Sequence, residues 1–243
     1  MKIAVAGSTG LIGSQVVTFV QQAGHEVVGL ARQTGFDLTV PDGLTEALAG
    51  VEAVIDVTQS PSLDEAEATA FFQTVAENLG TAAVAAGVLR TVVLSIVGAD
   101  KSPDYGYYVA KVAQEQAVRR SAPGPVVLRA TQFHEFAGQM LEWNKDGAVT
   151  HIIDVPLQPV ASAEIARLLV ELATADTAAD TDLAGPQQES LVDLVRRLVE
   201  LRGEGLEVEA VPAPASMAGG SMLPGPDAVV RGPRWEDWVA EQS

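Results

Sequence analysis

Cysteine is absent from this chain, which excludes disulfides, thiolate metal sites and a thiol nucleophile. Histidine is scarce: His25, His134 and His151 are scattered, with no carboxylate at ligand spacing, so no metal site is expected. Positive charge is also sparse, with 15 lysines and arginines against 32 aspartates and glutamates and a net charge of −17. Such a surface is repelled by phosphate backbones, and Arg119-Arg120 and Arg196-Arg197 are isolated pairs, so nucleic acid is not an expected partner. No apolar run reaches the roughly 20 residues of a membrane span. The start of the chain lacks the basic-then-apolar layout of a secretory leader, and the expectation is a cytoplasmic protein with no membrane partner.

What is there suits a globular enzyme: 243 residues, 47% of them hydrophobic and only 19% charged. Apolar runs at residues 2–6, 26–30, 52–57, 91–97 and 125–129 read as strands, with helical patterns between them. The longest, residues 64–86, carries Ala66, Ala70, Phe71, Phe72, Val75 and Ala76 on overlapping helical registers, with Gly80 as a break and Gly87 as a stop. This alternation predicts an α/β fold, a Rossmann-like doubly wound parallel sheet. Residues 32–50 are short for a full crossover, so one excursion is expected to be abbreviated.

The reading divides the chain into a nucleotide-binding core, residues 1–133, and a small C-terminal substrate-binding or lid region, residues 134–243. In the second part Ser162 reads as the cap of a helix to Thr174, residues 183–186 as a strand and turn, and residues 190–202 as an amphipathic helix. Residues 212–233, rich in proline and glycine, predict an irregular segment. A last short helix carries Trp235 and Trp238 on one face, where they would pin the C-terminus.

The first strand runs into Gly7-Ser8-Thr9-Gly10-Leu11-Ile12-Gly13, and the helical pattern that follows stops at Gly24. Strand, glycine turn and helix together bind dinucleotides: Gly7 permits the tight turn, Gly10 lets the backbone approach a pyrophosphate, and Gly13 lets helix and strand pack closely. Backbone N–H groups at the helix start face the anion. Cofactor choice turns on the end of the second strand, Leu30-Ala31-Arg32-Gln33, where an arginine with no acid beside it favours NADP over the alternative, NAD.

All three tyrosines fall at Tyr105, Tyr107 and Tyr108, and Lys111 follows Tyr107 by one helical turn. Reduction of a carbonyl needs a proton donor for the developing alkoxide and a cation beside the phenolate left behind, roles that suit Tyr107 and Lys111. Tyr108 is the alternative register. Ser95, at the end of a strand and twelve residues before Tyr107, can direct a hydroxyl into the same cleft.

These residues carry a resemblance. The Gly7–Gly13 turn, Leu94-Ser95-Ile96-Val97-Gly98, Tyr107-x-x-x-Lys111 with Gln114-Glu115, and Arg129-Ala130-Thr131-Gln132-Phe133 resemble the atypical short-chain dehydrogenases/reductases. More narrowly they are similar to the NmrA-like NAD(P)-binding group, over about residues 1–200. The resemblance implies Ser95, Tyr107 and Lys111 as the catalytic set, with Lys111 also on the nicotinamide ribose. It implies cofactor contacts from Asp37 and Leu38 to adenine, from Val57, Thr58 and Gln59 at the end of the third strand, and from Thr131. It implies Phe133 and His134 as substrate contacts. An NADP(H)-dependent reductase of a carbonyl, quinone or activated alkene is the leading reading. A non-enzymatic NAD(P)-sensing regulator is the alternative, and a sugar-nucleotide epimerase-like enzyme is third because of the short C-terminal part. A small-molecule substrate and a monomer or homodimer complete the expectation.

Overall fold

The computed structural model describes residues 1–242. In the first half of the chain the elements are β1 (Lys2–Ala6), α1 (Leu11–Gln22), β2 (Glu26–Leu30), α2 (Leu44–Ala47), β3 (Ala53–Asp56), α3 (Glu65–Ala86), β4 (Arg90–Ile96), α4 (Gly106–Ser121) and β5 (Pro125–Ala130). There follow α5 (Phe136–Trp143), β6 (Lys145–Asp146), β7 (Val149–Ile153), β8 (Pro156–Leu157), α6 (Ser162–Thr174), β9 (Thr181–Ala184), β10 (Glu189–Ser190), α7 (Leu191–Arg202), β11 (Glu207–Val211), α8 (Ala215–Ala218), β12 (Val229–Val230) and α9 (Trp235–Glu241). Two units form, each from separated stretches of chain. The first holds Met1–Ile96, Gly106–Arg129 and Ala163–Thr181, and the second holds Val97–Tyr105, Ala130–Ser162 and the chain from Asp182 onward.

In the first unit the strands lie in the order β2-β1-β3-β4-β5, with β1 parallel to both β2 and β3, and β3 parallel to β4. The apolar run Ile3-Ala4-Val5-Ala6 is fully buried, as a strand between two parallel neighbours must be. Chain order reverses at β1 and β3, which makes the carboxyl ends of those two strands the switch point where a doubly wound sheet opens a crevice. The excursion between β2 and β3 is abbreviated as expected, to a 3-10 turn at Arg32–Thr34 and the single turn of α2.

Helix α3 starts at Asp64, whose carboxylate accepts from the N–H groups of Ala66 and Glu67 at 3.0 Å, and it ends on left-handed Gly87. Gly80 does not break it. A Cβ there would lie 2.5 Å from Ser121 Oγ, so this glycine lets α3 and α4 approach each other, and the break read from sequence is corrected. Arg90 donates to the carbonyls of Leu172 (3.0 Å), Ala175 (2.5 Å) and Asp176 (3.3 Å), a cation placed on the acceptors at and just past the C-terminal end of α6.

The second unit contains sheets that periodicity did not reveal. Strand β7 pairs with β11 in parallel and with β6 antiparallel, and β8 pairs with β10 antiparallel; β9, which overlaps the strand expected at residues 183–186, pairs with β12 in parallel. Ser190 caps α7. Residues 212–233 are irregular except for α8 and β12, two short elements that amend the expectation of a structureless segment. This segment is laced to residues 97–105: Ser102 Oγ and Ser221 Oγ lie 2.7 Å apart, and Asp104 accepts from Ser216 N at 3.1 Å. Trp235 is buried and donates from its indole to the His134 carbonyl at 3.1 Å, while the Trp238 ring lies 5.4 Å from the His134 imidazole. The two tryptophans therefore pin α9 from one face, as their spacing predicts.

Candidate functional site

The glycine turn leaves β1 with Gly7 at φ +81° and its N–H on the Leu30 carbonyl at 2.9 Å. A Cβ on Gly7 would lie 2.9 Å from the Val57 carbonyl oxygen, and one on Gly13 would lie 2.0 Å from the Gly7 oxygen. Glycine is required at the first for conformation and at both for space. Gly10 is different: its nearest protein atom would be 3.4 Å away, so the space outside it is left open. Helix α1 begins without a side-chain cap and without an acidic residue in its first turn, which leaves its N–H groups and dipole to an outside anion. Ser8 Oγ is buried beside the turn and has no hydrogen-bond partner.

At the end of β2, Arg32 is exposed in the 3-10 turn, and Thr9 Oγ1 donates to Gln33 Oε1 at 2.8 Å. The Asp37 carboxylate accepts from the Thr39 hydroxyl (2.6 Å) and N–H (3.0 Å), contacts that with nearby Arg32 hold it below the usual carboxylate range. Leu38 turns its side chain into the core with Leu44, Leu48 and Val75, and its carbonyl accepts from Asn78 Nδ2 at 3.1 Å, so neither is open to a ligand. At the end of β3, Val57 and Thr58 are half-buried against the glycine turn and Gln59 is exposed.

Lys111 is buried on α4, and its Nζ donates to the Leu94 carbonyl at 2.8 Å and to Gln114 Oε1. It also lies 4.7 Å from the centre of the Phe72 ring. Burial lowers its pKa to about 8, against the opposing fields of Asp56 and Glu115. The Tyr107 ring meets the same Phe72 edge-on at 5.9 Å, so phenol and ammonium share one aromatic neighbour. Tyr108, the alternative register, is buried. Ser95, next to the residue whose carbonyl receives Lys111, is buried with its Oγ unpartnered. Glu115 and Arg129 form a two-pronged ion pair at 2.9 and 2.7 Å that ties α4 to β5.

A cradle that tolerates no Cβ at Gly7 or Gly13 and leaves Gly10 open, an uncapped helix start and two buried orphan hydroxyls fit a dinucleotide. Residues 34–176 match a family model described as NAD(P)H-binding. The chain belongs to this NAD(P)H-binding family. Solved structures agree on its fold. The dTDP-4-dehydrorhamnose reductase of Bacillus anthracis, in complex with NADP, aligns at TM-score 0.74 with 14% identity over 99% of this chain and 97% of that one. The UDP-N-acetylglucosamine 4-epimerase of Bacillus cereus aligns at 0.72 with 17% identity over 99% and 94%. The NADPH-dependent quinone oxidoreductase QOR2 of Escherichia coli, complexed with NADPH, aligns at 0.65 with 22% identity over 87% and 78%. No curated protein matches by sequence.

In this NAD(P)H-binding protein the first unit thus carries Gly7–Gly13, Arg32, Asp37, Leu38, residues 57–59, Ser95, Tyr107 and Lys111. The other expected residues belong to the second unit. Thr131 Oγ1 is committed to the Gln158 carbonyl at 2.6 Å, and Phe133 is half-buried in a bridge with Val160. His134 is buried, with Nε2 3.1 Å from the Pro233 carbonyl and Nδ1 unpartnered, and burial lowers its pKa. Sequence reasoning assigned no role to Phe72, Asp56 or Gln114. One signal was there: Asp56 is the single charge in the run Ala53-Val54-Ile55-Asp56, where an unpaired carboxylate has no place. Among the described residues no group of histidines and carboxylates is arranged to hold a metal, and no helix is long and apolar enough to cross a membrane.

Proposed function

We propose that this protein is an NADPH-dependent reductase of a carbonyl, quinone or activated alkene, with Ser95, Tyr107 and Lys111 at its centre. The observation that carries the reading is the meeting of the Tyr107 ring and the Lys111 ammonium on Phe72, with the unpartnered Ser95 hydroxyl one residue from Lys111's carbonyl acceptor. The glycine turn and the start of α1 would hold the cofactor's pyrophosphate, Arg32 its 2′-phosphate, and Lys111 its nicotinamide ribose. NADPH, when bound, supplies the hydride. Tyr107 Oη would give its proton to the substrate oxygen, and the nearby ammonium would stabilise the phenolate that remains. Ser95 Oγ would donate a hydrogen bond to the same oxygen and fix its direction.

The test is NADPH oxidation followed by absorbance over a panel of carbonyls, quinones, enones and nucleotide sugars. Turnover that falls at least a hundredfold in Tyr107→Phe supports the reading, and unchanged turnover removes Tyr107 from it. Tight NADPH binding with no turnover across the panel would favour a sensor.

A further inference from the structure

An ammonium has only protons to offer and a carboxylate only lone pairs, so a primary amide is the side chain that joins one to the other across a gap too long for direct contact. Gln114 does this. Its Oε1 accepts from Lys111 Nζ and its Nε2 donates to Asp56 Oδ2 at 3.1 Å, and all three residues are buried. The polarity admits one orientation of the amide. The other carboxylate oxygen, Asp56 Oδ1, accepts from Thr58 N at 2.9 Å and Thr58 Oγ1 at 2.7 Å. Val57 and Thr58 in turn are the backbone on which Gly7 sits, too close for a Cβ. Of the three N–H groups on Lys111, the Leu94 carbonyl and Gln114 take two. The third has no oxygen acceptor among the described residues.

We infer that Gln114 and Asp56 are positioning residues, through which the end of β3 and the glycine turn hold Lys111 with one N–H directed to the cofactor ribose. The inference rests on the reading of Lys111 as the ribose-holding residue. It makes the pyrophosphate cradle and the lysine parts of one hydrogen-bonded train, Gly7 against Val57-Thr58, then Asp56, Gln114 and Lys111, all in the first unit. The charged groups around the ammonium are Asp56 on β3 and Glu115 on α4, the latter neutralised by Arg129 of β5; α3 contributes only the Phe72 ring. Removing Gln114 leaves Lys111 free to swing toward those carboxylates and away from a ligand.

The experiment is a double-mutant cycle on NADPH affinity, read by fluorescence titration and therefore independent of turnover, with wild type, Lys111→Met, Gln114→Leu and the double variant. Gln114→Leu is expected to weaken NADPH binding about tenfold, and the double variant to bind no worse than Lys111→Met alone. Asp56→Asn, which keeps size but sets an amide N–H against either Thr58 or Gln114, is expected to act in the same direction. It replaces Gln114→Leu in the cycle should that variant fail to fold. For the active enzyme, Gln114→Leu should also move the pH at which kcat changes, which a loss of packing alone would not do. Wild-type affinity in Gln114→Leu, or losses that multiply in the double variant, overturns the inference. Failure of the wild type to bind NADPH overturns the cofactor reading first, and binding without turnover leaves the cycle as decisive as before.

Discussion

The Lys111 ammonium lies 4.7 Å from the centre of the Phe72 ring, an aromatic side chain that Tyr107 also touches. A buried cation over a ring face gains from the ring's quadrupole, and the edge contact of Tyr107 adds to the packing. Phe72→Leu removes both while keeping the site apolar. Its expected cost is about 2 kcal/mol of stability, measured by urea unfolding. A wild-type unfolding midpoint would show that the ring contributes shape alone.

Lys111 also gives the fold a signature in alkali. The buried lysine releases its proton near pH 8, whereas the unfolded chain holds it to about 10.5. Between these values the unfolded state carries the extra proton, so stability rises with pH across the window and the penalty for burying the charge is fully present below it. The stability of wild type relative to Lys111→Met is therefore expected to rise by about 2 to 3 kcal/mol from pH 8 to 10.5. A difference that stays flat would mean that the lysine is charged throughout.

Gly10 and Gly13 should fail in different ways. A methyl at Gly13 meets the Gly7 carbonyl at 2.0 Å, so Gly13→Ala is expected to unfold the turn and lower thermal stability with or without cofactor. A methyl at Gly10 finds room at 3.4 Å. Gly10→Ala should keep wild-type stability and lose NADPH affinity tenfold or more, because the methyl stands where the backbone must approach the pyrophosphate. Calorimetric titration beside a thermal melt separates the two. Equal behaviour of the variants in both assays would refute the distinction.

His134 couples α9 to acidity. Burial disfavours its charged form, outweighing the Pro233 carbonyl that supports protonation. Below the unfolded value of about 6.5 the unfolded chain takes up a proton that the folded imidazole resists, so stability is lost as the pH falls. Since the ring packs on Trp238 and the His134 carbonyl receives the Trp235 indole, the protection of the α9 amides, measured against their intrinsic exchange rates at each pH, is expected to fall between pH 7.5 and 5.5. A His134→Asn variant should lack that pH dependence. Persistence of the dependence in this variant would assign it to another group.

The features legible in the sequence were local ones. Gly7, Gly10 and Gly13 lie within one turn of chain, Asp64 marks the start of α3 by its carboxylate and Gly87 its end by its left-handed backbone, and Tyr107 and Lys111 are one helical turn apart. Long-range partners left weaker traces. Gln114 and Asp56 meet across 58 residues, and neither residue type by itself names the other. Gly80 looked like a helix breaker because the chain does not announce that Ser121 will press against it. Strand β11 was missed for a different reason. Its residues Glu207-Val208-Glu209-Ala210-Val211 bury no continuous face, and its partner β7 lies far back in the chain.

Discontinuity of the first unit bears on how the protein is made. Residues 97–105 and 130–162 leave that unit before 163–181 return to it, and the return supplies the Asp180 carboxylate that accepts from Val127 N at 2.9 Å and the carbonyls that receive Arg90. A chain emerging from the ribosome therefore cannot complete its first unit until about three quarters of the protein has been synthesised. Until then Arg90 and the free edge of β5 await partners that have yet to be translated, a nascent intermediate for which a chaperone has a physical reason to exist.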